Sequence, residues 1–440
     1  MTELRFPAGF LWGTSTSPHQ VEGNNANNDW WRWEQQPGRI RDASRSGDAA
    51  GWWAGAAEAD LALAAAHHQS AHRLGVEWSR IEPHPGRFDE AAVDRYRAIL
   101  TEARRLGLST MVALNHFTLP LWAADAGAWT WRRLPARFES YARFCADRLG
   151  DLVDRWITFN EPGVLALAGY GARLWPPGLG RPDLMFAAMA RMIMAHARAR
   201  DAIRQRRPDA PVGLVFNMPL FEAHRPRHPL DRLAARLEDH AFNDLMLRAL
   251  KTGTLPFPLA RTPTRVRGLA GAFDFLGLNY YGRFASRFAL MADTPISRHA
   301  QSPTTRTDWT DWGQPCPRGL TLQLLRLGKL GKPLFVTENG LFEDGDDRRP
   351  SFIVQHVRAV ADAIALGADV RGYFFWTLVD NFEWAEGWST PFGLFELDRD
   401  TGERRPRRSA HLYARICRDN GLSTETLDDF ADALHDDTEG

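Results

Sequence analysis

Two glutamates of this 440-residue chain follow apolar, strand-like stretches and stand directly before a residue that interrupts regular structure. Glu161 lies in "WITFNEP", where Pro162 has no amide proton to continue a sheet ladder, and Glu338 lies in "FVTENG". Both carboxyl groups are therefore predicted to lie where a strand ends. If they face each other across a small pocket, they do not easily both carry charge, so one holds a proton near neutral pH.

One protonated and one ionised carboxyl group can together cleave a glycosidic bond. The first gives a proton to the departing oxygen, and the second attacks the anomeric carbon or activates water. A separation of about 5 Å makes the second group a nucleophile with retained stereochemistry, whereas about 6.5 Å or more leaves room for water and inverts it. The residues alone leave both outcomes open.

Eight short apolar, β-rich segments recur along the chain and must position these groups. They are "FLWGTST", "HRLGVEW", "TMVALNHF", "WITFNEP", "VGLVFNMP", "DFLGLNYY", "LFVTENG" and "RGYFFWTLVDN". Between them, as at 91–108 and 183–207, apolar residues return every three or four positions, which predicts helices. Near-continuous apolar strands that alternate with helices predict a parallel sheet buried on both faces. Eight such units predict an α/β fold, a single (β/α)8 TIM barrel over residues 1–440 with long βα loops.

An open, doubly wound parallel sheet is the structural alternative. No GxGxxG follows the first segment and no phosphate-binding GKS or GKT occurs, which disfavours it. Residues 283–317 are rich in Ser, Thr, Pro and Arg and are predicted to form a long loop over the barrel mouth. The acidic end of the chain, about residues 434–440, is predicted to be frayed.

A barrel brings the carboxyl ends of its strands to one face, and many polar residues lie at those ends. They are Gln20, Arg73, Asn115, His116, Asn160, Glu161, Asn217, Asn279, Tyr281, Glu338, Asn339, Asp380, Asn381 and Glu383. The chain also has 17 tryptophans, several of them beside polar residues. Flat aromatic faces next to hydrogen-bonding groups suit a sugar. For Trp30, Trp31 and Trp33, core packing and binding both stay open.

Composition argues against several other classes of function. Lys plus Arg and Asp plus Glu both number 54, without a block of like charge, so nucleic acid is not an expected partner. The cysteines Cys145, Cys316 and Cys417 are far apart and do not resemble a disulfide framework or a zinc site. No signal peptide or apolar segment of membrane-spanning length is recognised. We therefore predict a cytoplasmic protein that does not bind membranes.

Three histidines, His67, His68 and His72, are close enough in sequence to suggest a metal cluster. A strand segment adjoins them, and no cysteine or paired carboxylate completes a ligand set. We predict that they are surface or core residues. Two carboxyl groups suffice for the chemistry above, so no metal and no organic cofactor is expected.

The motifs together resemble those of glycoside hydrolase family one, the β-glucosidase and β-galactosidase family. The likeness runs from "FPAGFLWGTSTSPHQVEG" through "TFNEP" and "TENG" to "DNFEWAEGWSTPFGLFELDRDTGERRPRRSAHLYARI", which is nearly the whole chain. It implies a (β/α)8 barrel and a retaining double displacement. By this resemblance Glu161 is the general acid and base, and Glu338 is the nucleophile.

The same resemblance implies how a sugar is held. Residues that hydrogen-bond the nonreducing-end sugar are Gln20, His116, Asn160 and Glu383. Trp376 is implied as the platform under the ring and Trp384 as a further contact. Arg73 and Tyr281 are implied to touch Glu338 and keep it ionised, and Asn279 supports them. Family members that act on 6-phosphorylated sugars have serine at the position of Glu383, so an unphosphorylated sugar is implied.

The substrate is expected to be a small β-glycoside or oligosaccharide with a terminal β-D-sugar, glucose first, with galactose or fucose as alternatives. A transglycosylase would share every residue named so far, and a non-catalytic carbohydrate-binding protein would keep the aromatic residues but lose a carboxylate. Trp388 departs from the family's usual Tyr or Phe, and the loop around Trp309 and Trp312 follows no transferable pattern. These departures concern the leaving group, which stays open, as does assembly into a homo-oligomer.

Overall fold

The computed structural model describes residues 3–289, 297–299 and 312–434. Its centre is a closed barrel of eight parallel strands in which chain neighbours pair and the last strand pairs with the first. The strands, numbered β1 to β8, are Leu11–Ser15, Ala71–Gly75, Ser109–Ala113, Arg155–Asn160, Val212–Asn217, Phe275–Asn279, Leu334–Asn339 and Val370–Trp376. The predicted (β/α)8 barrel is confirmed, and its closure rules out the open doubly wound sheet.

The helices that separate the strands include both of those predicted from periodicity, now bounded as Glu90–Arg105 and Pro182–Arg206. The others are Pro18–Val21, Asp29–Glu34, Ala57–Ala66, Trp78–Ile81, Leu121–Asp125, Leu134–Leu149, Pro162–Leu165, Pro229–Asp239, Leu245–Thr252, Pro317–Gly328, Arg349–Ala365, Arg408–Asp419 and Thr424–Asp429. Wider π-type turns lie at Trp52–Ala56, Ala166–Gly171 and His240–Asp244, and tighter 3-10 turns at Ala128–Thr130, Trp384–Glu386 and Ala431–Ala433.

The second predicted strand is shorter than expected. The segment 72–78 leaves the sheet after Gly75, and Trp78–Ile81 forms a helical turn. The amide of Glu77 donates to the Tyr96 hydroxyl (2.8 Å) instead of continuing a sheet ladder. The local pattern of apolar residues does not indicate this hydrogen bond between a backbone amide and a side chain.

The barrel interior is filled by apolar side chains. They are Ala71, Met111, Ala113, Ile157, Val215, Phe275, Phe335 and Phe374, with Leu11 packed against them. A packed interior is not a pore, so ligands reach the polar groups from the end of the barrel where the strands finish.

Strands β4 and β7, which precede or carry the two candidate glutamates, each contain one extra residue near the carboxyl end. Residues 157–160 of β4 span the same length as residues 213–215 of β5. Residues 336–339 of β7 likewise oppose residues 373–375 of β8. A bulge of this kind changes the direction of the side chains beside it. Neither irregularity is visible in the sequence motifs.

The prediction of a long loop over residues 283–317 is partly wrong. Arg283–Phe288 is a strand that pairs in parallel with Leu220–Ala223 and antiparallel with Ser297–His299. The composition of this segment is typical of a loop, but its backbone pairs with Leu220–Ala223, which is distant in the sequence. Most of the remaining residues lie outside the described part, as do residues 435–440, for which fraying was predicted.

The two ends of the described chain lie together. Leu4–Arg5 pairs with Gly421–Leu422, and the Tyr413 hydroxyl donates to the carbonyl of Gly13 in β1 (2.7 Å). Two further short ladders join Thr254–Leu255 to Thr264–Arg265 and Phe395–Leu397 to Arg404–Pro406. Within the described residues, no helix has both the length and the apolar character needed to span a bilayer.

Candidate active site

Glu338, near the end of β7, is buried, with 3% of its surface exposed. One carboxylate oxygen forms an ion pair with the guanidinium of Arg73 from β2. The other oxygen accepts a hydrogen bond from the Tyr281 hydroxyl, two residues after β6 (2.7 Å). Both oxygens of the Glu338 carboxyl group are therefore held by donors from other strands of the barrel or the loops that follow them.

Glu161 follows β4 and has a left-handed backbone conformation, with φ of 44°. Its Oε1 accepts a hydrogen bond from the side-chain amide of Asn279, at the end of β6 (2.7 Å). Burial, followed by the negative charge of Glu338, raises the pKa of Glu161 to about 8. The Asn279 hydrogen bond and the Arg73 charge oppose this rise. Burial and the neighbouring negative charge thus favour the protonated form of Glu161.

Asn160, the last residue of β4, connects the surroundings of the two glutamates. Its Oδ1 accepts hydrogen bonds from Arg73 Nη2 (2.5 Å) and from Asn279 Nδ2 (3.0 Å). Arg73 also contacts Glu338, and Asn279 also contacts Glu161, so one continuous set of interactions joins the two carboxyl groups. Two glutamates that are distant in the chain thus share one buried site.

His116, three residues after β3, is a neutral ring in this site. Asn160 Nδ2 donates to His116 Nε2 (3.0 Å), which places the ring proton on Nδ1. Burial and then the Arg73 charge hold the pKa of His116 well below its usual range. Nδ1 is buried without a hydrogen-bond partner among the described residues, so it is available to a ligand.

Gln20 and Glu383 form a second polar group. Gln20 Nε2 donates to Glu383 Oε2 (2.8 Å) and to Asn381 Oδ1 (3.0 Å), and the Ser17 hydroxyl donates to Gln20 Oε1 (2.7 Å). These partners determine the orientation of the Gln20 amide. Burial, then the charge of Glu338, raises the pKa of Glu383 well above its usual range. An ordered amide and a protonated carboxyl group can both exchange hydrogen bonds with ligand hydroxyls.

Two aromatic groups surround these polar side chains. Trp376, at the end of β8, is buried in a small cluster with Tyr281 and Phe392. The partly buried Trp312 contacts both of those neighbours, with ring centroids 5.4 Å from Tyr281 and 5.2 Å from Phe392. The group therefore places aromatic rings directly beside the hydroxyl that contacts Glu338.

The second aromatic group centres on Trp384. Its ring stacks on His116 (5.9 Å, 23°) and on His19 (5.6 Å, 18°). Trp30 and Trp175 also pack against it, at centroid distances of 4.7 and 6.0 Å. Trp30 is fully buried and packs against the Trp384 ring, so it supports this wall of the site.

Several contacts in this region involve residues that the sequence did not single out. Ser17 and Thr337 each lie within a quoted motif, where Ser17 stands three residues before Gln20 and Thr337 directly before Glu338. Trp175 stands before two prolines in "RLWPPG", an aromatic residue in a turn-rich loop, and no periodic pattern marks it.

Trp33 is buried and Trp31 half-buried, with Arg39 lying 3.8 Å above the Trp33 ring.

His72 and His67, two of the three neighbouring histidines, occupy separate environments. His72 is buried in β2 between two threonine hydroxyls, each 3.2 Å from a ring nitrogen. His67 packs edge-on against Phe395 at 4.8 Å. In the part of the chain that the structure describes, no three His, Cys, Asp or Glu side chains are grouped to hold a metal ion.

Comparison with known families identifies the class to which this geometry belongs. The model described as glycosyl hydrolase family 1 matches residues 2–422. The chain belongs to glycosyl hydrolase family 1. The resemblance drawn from the motifs is thereby confirmed, as is the prediction of a hydrolytic enzyme.

Relatives in family 1 match over almost the whole chain. Beta-glucosidase A of Thermotoga maritima is 30% identical, covering 96% of this chain and 100% of that protein. A beta-galactosidase of Pyrococcus woesei is also 30% identical, covering 95% and 98%. The solved structure of a beta-glycosidase from Pyrococcus horikoshii, at 34% identity, superimposes with a TM-score of 0.89 over 100% of both chains. A Thermotoga maritima beta-glucosidase in complex with glucoimidazole gives 0.87 at 28% identity, covering 95% and 100%.

Proposed function

We propose that this protein is a retaining β-glycosidase that removes a terminal, nonreducing, unphosphorylated β-D-sugar, glucose first. Glu338 attacks the anomeric carbon while Glu161 gives its proton to the departing oxygen, which forms a covalent glycosyl-enzyme. Glu161 then takes a proton from water, which releases the sugar with its original configuration. Membership of family 1 supports retention, and the buried pair of glutamates supplies the two groups.

The observation that carries this proposal is the contrast between the surroundings of the two glutamates. Glu338 accepts from a buried cation and a phenol. Glu161 accepts from the Asn279 amide, and burial and the charge of Glu338 raise its pKa. One residue type thereby supplies both the anion and the acid that the first step requires.

Sugar binding is proposed for the polar and aromatic side chains around this pair. Those proposed to hydrogen-bond sugar hydroxyls are Gln20, His116, Asn160 and Glu383, with Trp376 under the ring and Trp384 as a further contact. Their support is local: buried polar groups of known orientation stand beside aromatic rings. The relatives' names, beta-glucosidase and beta-galactosidase, agree with a glucoside as first choice and a galactoside as an alternative. The fucoside alternative stays a prediction.

An unphosphorylated sugar follows from the surroundings of Glu383. This carboxyl group is 2% exposed and accepts a hydrogen bond from the uncharged side-chain amide of Gln20. A phosphate group placed there would bring its negative charge into a buried site beside a carboxyl group, which supplies no positive charge whether it is ionised or protonated.

Chromogenic p-nitrophenyl glycosides test this proposal directly. We expect the β-glucoside to have the highest kcat/KM and the α-glucoside and 6-phosphorylated β-glucoside to be slower by at least about 100-fold. The α-anomer is the control for stereochemistry, and the 6-phosphate is the control for the environment of Glu383. Preference for either would contradict the proposal. Alkyl glucoside as the main product when an alcohol is added would favour the transglycosylase alternative.

We expect kcat/KM to fall at alkaline pH, and we attribute this alkaline limb to the loss of the Glu161 proton. A raised pKa means that Glu161 stays protonated through neutral pH and loses its proton on the alkaline side, so activity falls as pH rises through that pKa. Rates measured between pH 4 and 10 test this. The limb should be present for the wild type and absent for Glu161→Gln when both are assayed with the same p-nitrophenyl β-glucoside. An unchanged limb in that variant would exclude Glu161 as its source.

A cytoplasmic location, assembly into a homo-oligomer and a one-domain organisation stay predictions. The three cysteines, Cys145, Cys316 and Cys417, are buried and unbridged, which suits a reducing compartment.

A further inference from the structure

Asn279 donates to the proposed acid only because its side-chain amide has one of two orientations. Its Nδ2 donates to Glu161 Oε1 (2.7 Å) and to Asn160 Oδ1 (3.0 Å). Its Oδ1 accepts a hydrogen bond from the hydroxyl of Thr337 (2.7 Å), the residue immediately before Glu338. In the flipped orientation Thr337 Oγ1 could accept from the amide nitrogen, but its own proton would lose this acceptor and the amide oxygen would face Asn160 Oδ1. The hydroxyl and Asn160 therefore both favour the orientation seen.

The backbone around Thr337 is arranged to make this contact. A Cβ atom on Gly277, in the neighbouring strand β6, would lie 2.8 Å from Thr337 Oγ1 and 2.9 Å from its Cγ2, so only glycine leaves space for the threonine there. Thr337 also lies in the bulge of β7, between the residues that pair with Leu278 and Asn279. On the other side, the Ser15 hydroxyl of β1 donates to the Thr337 carbonyl (2.6 Å).

We propose that Thr337 is a positioning residue of the enzyme: its hydroxyl holds the Asn279 amide so that nitrogen, not oxygen, faces Glu161. The inference rests on the proposed acid and base role of Glu161. Thr337 itself is fully buried and contacts Asn279, not either glutamate carboxyl group, in the hydrogen bonds of the described chain.

The amide orientation matters because Glu161 changes protonation state during turnover. A donor favours the carboxylate form, whereas a flipped amide would present an acceptor that favours the protonated form. Without the Thr337 hydroxyl, protonated Glu161 gains the option of donating to the Asn279 oxygen. The ionisable groups that face Glu161 from other elements are Arg73 and Glu338 from β2 and β7, with the Tyr281 phenol after β6. The substitution leaves all three in place.

The test is the pH profile of Thr337→Val, which removes the hydroxyl but keeps the branched shape. We expect the alkaline limb of kcat/KM to move upwards by about half a pH unit or more, the effect of one lost hydrogen bond to the ionised form. Thr337→Ser keeps the hydroxyl and should restore the wild-type limb. A purely structural role for Thr337 would lower activity or thermal stability without moving the limb.

Failure of this inference can be distinguished from failure of the proposed function. If the wild-type limb persists in Glu161→Gln, the acid assignment is wrong. If it vanishes there but stays in place in folded Thr337→Val, the orienting role of Thr337 is wrong. Thermal melting establishes that each variant is folded, and Thr337→Ala replaces the valine variant if the latter does not fold. An upward shift in either variant that serine reverses supports the inference.

Discussion

Glu338→Gln is expected to lower kcat for a p-nitrophenyl β-glucoside by about 10⁴-fold or more. Glutamine has nearly the same shape but no anionic oxygen to attack the anomeric carbon. The Tyr281 hydroxyl can still donate to the amide oxygen, so the side chain at position 338 keeps this hydrogen bond. The buried Arg73 loses its counter-charge, and some loss of thermal stability should accompany the loss of rate. Steady-state kinetics and a thermal melt measure both effects.

Two further measurements make this result specific to the nucleophile. Glu396→Gln applies the same chemical change to an exposed glutamate in Phe395–Leu397 and should leave kcat at the wild-type value. Glu338→Ala with added azide should form the α-glycosyl azide, because azide then attacks the anomeric carbon directly from the face that Glu338 leaves vacant. Normal hydrolysis by Glu338→Gln would exclude the assignment.

Glu161→Ala is expected to slow hydrolysis of substrates with poor leaving groups by about 10²- to 10⁴-fold, the usual contribution of a positioned acid or base. Dinitrophenyl glucoside should still form the glycosyl-enzyme, which then accumulates because no base activates water. Added azide should restore turnover, since it is already an anion and needs no base. The change in rate with azide concentration measures this rescue.

The configuration of the rescued product separates the two roles. Glu161→Ala should give the β-glycosyl azide, the result of two successive inversions, whereas Glu338→Ala should give the α-anomer. Glu161→Gln fills the space that alanine opens and should respond less to azide. Azide has no comparable effect on the wild type, whose base is intact. If Glu161→Ala gave the α-glycosyl azide, the roles of the two glutamates would have to be exchanged.

Much of the architecture was predictable because its signals are local. The apolar residues of the helix Glu90–Arg105 return with helical spacing, and Asp89 marks its beginning by accepting from two amides of the first turn. The eight barrel strands are short apolar runs that end in polar or chain-breaking residues. Where a backbone depended on distant partners, as in Arg283–Phe288, composition predicted a loop in place of a strand.

The order of the amino acids establishes which residue types stand at the strand ends, including two glutamates, and it predicts that alternating strands and helices bring those ends to one face. The packing of the folded chain establishes that Arg73 contacts Glu338, that Asn279 contacts Glu161, and that burial favours the protonated form of Glu161. The reason is physical. Strand and helix patterns reflect neighbours a few residues apart, whereas protonation depends on burial, on the bulges in β4 and β7, and on charges from strands that the chain order separates.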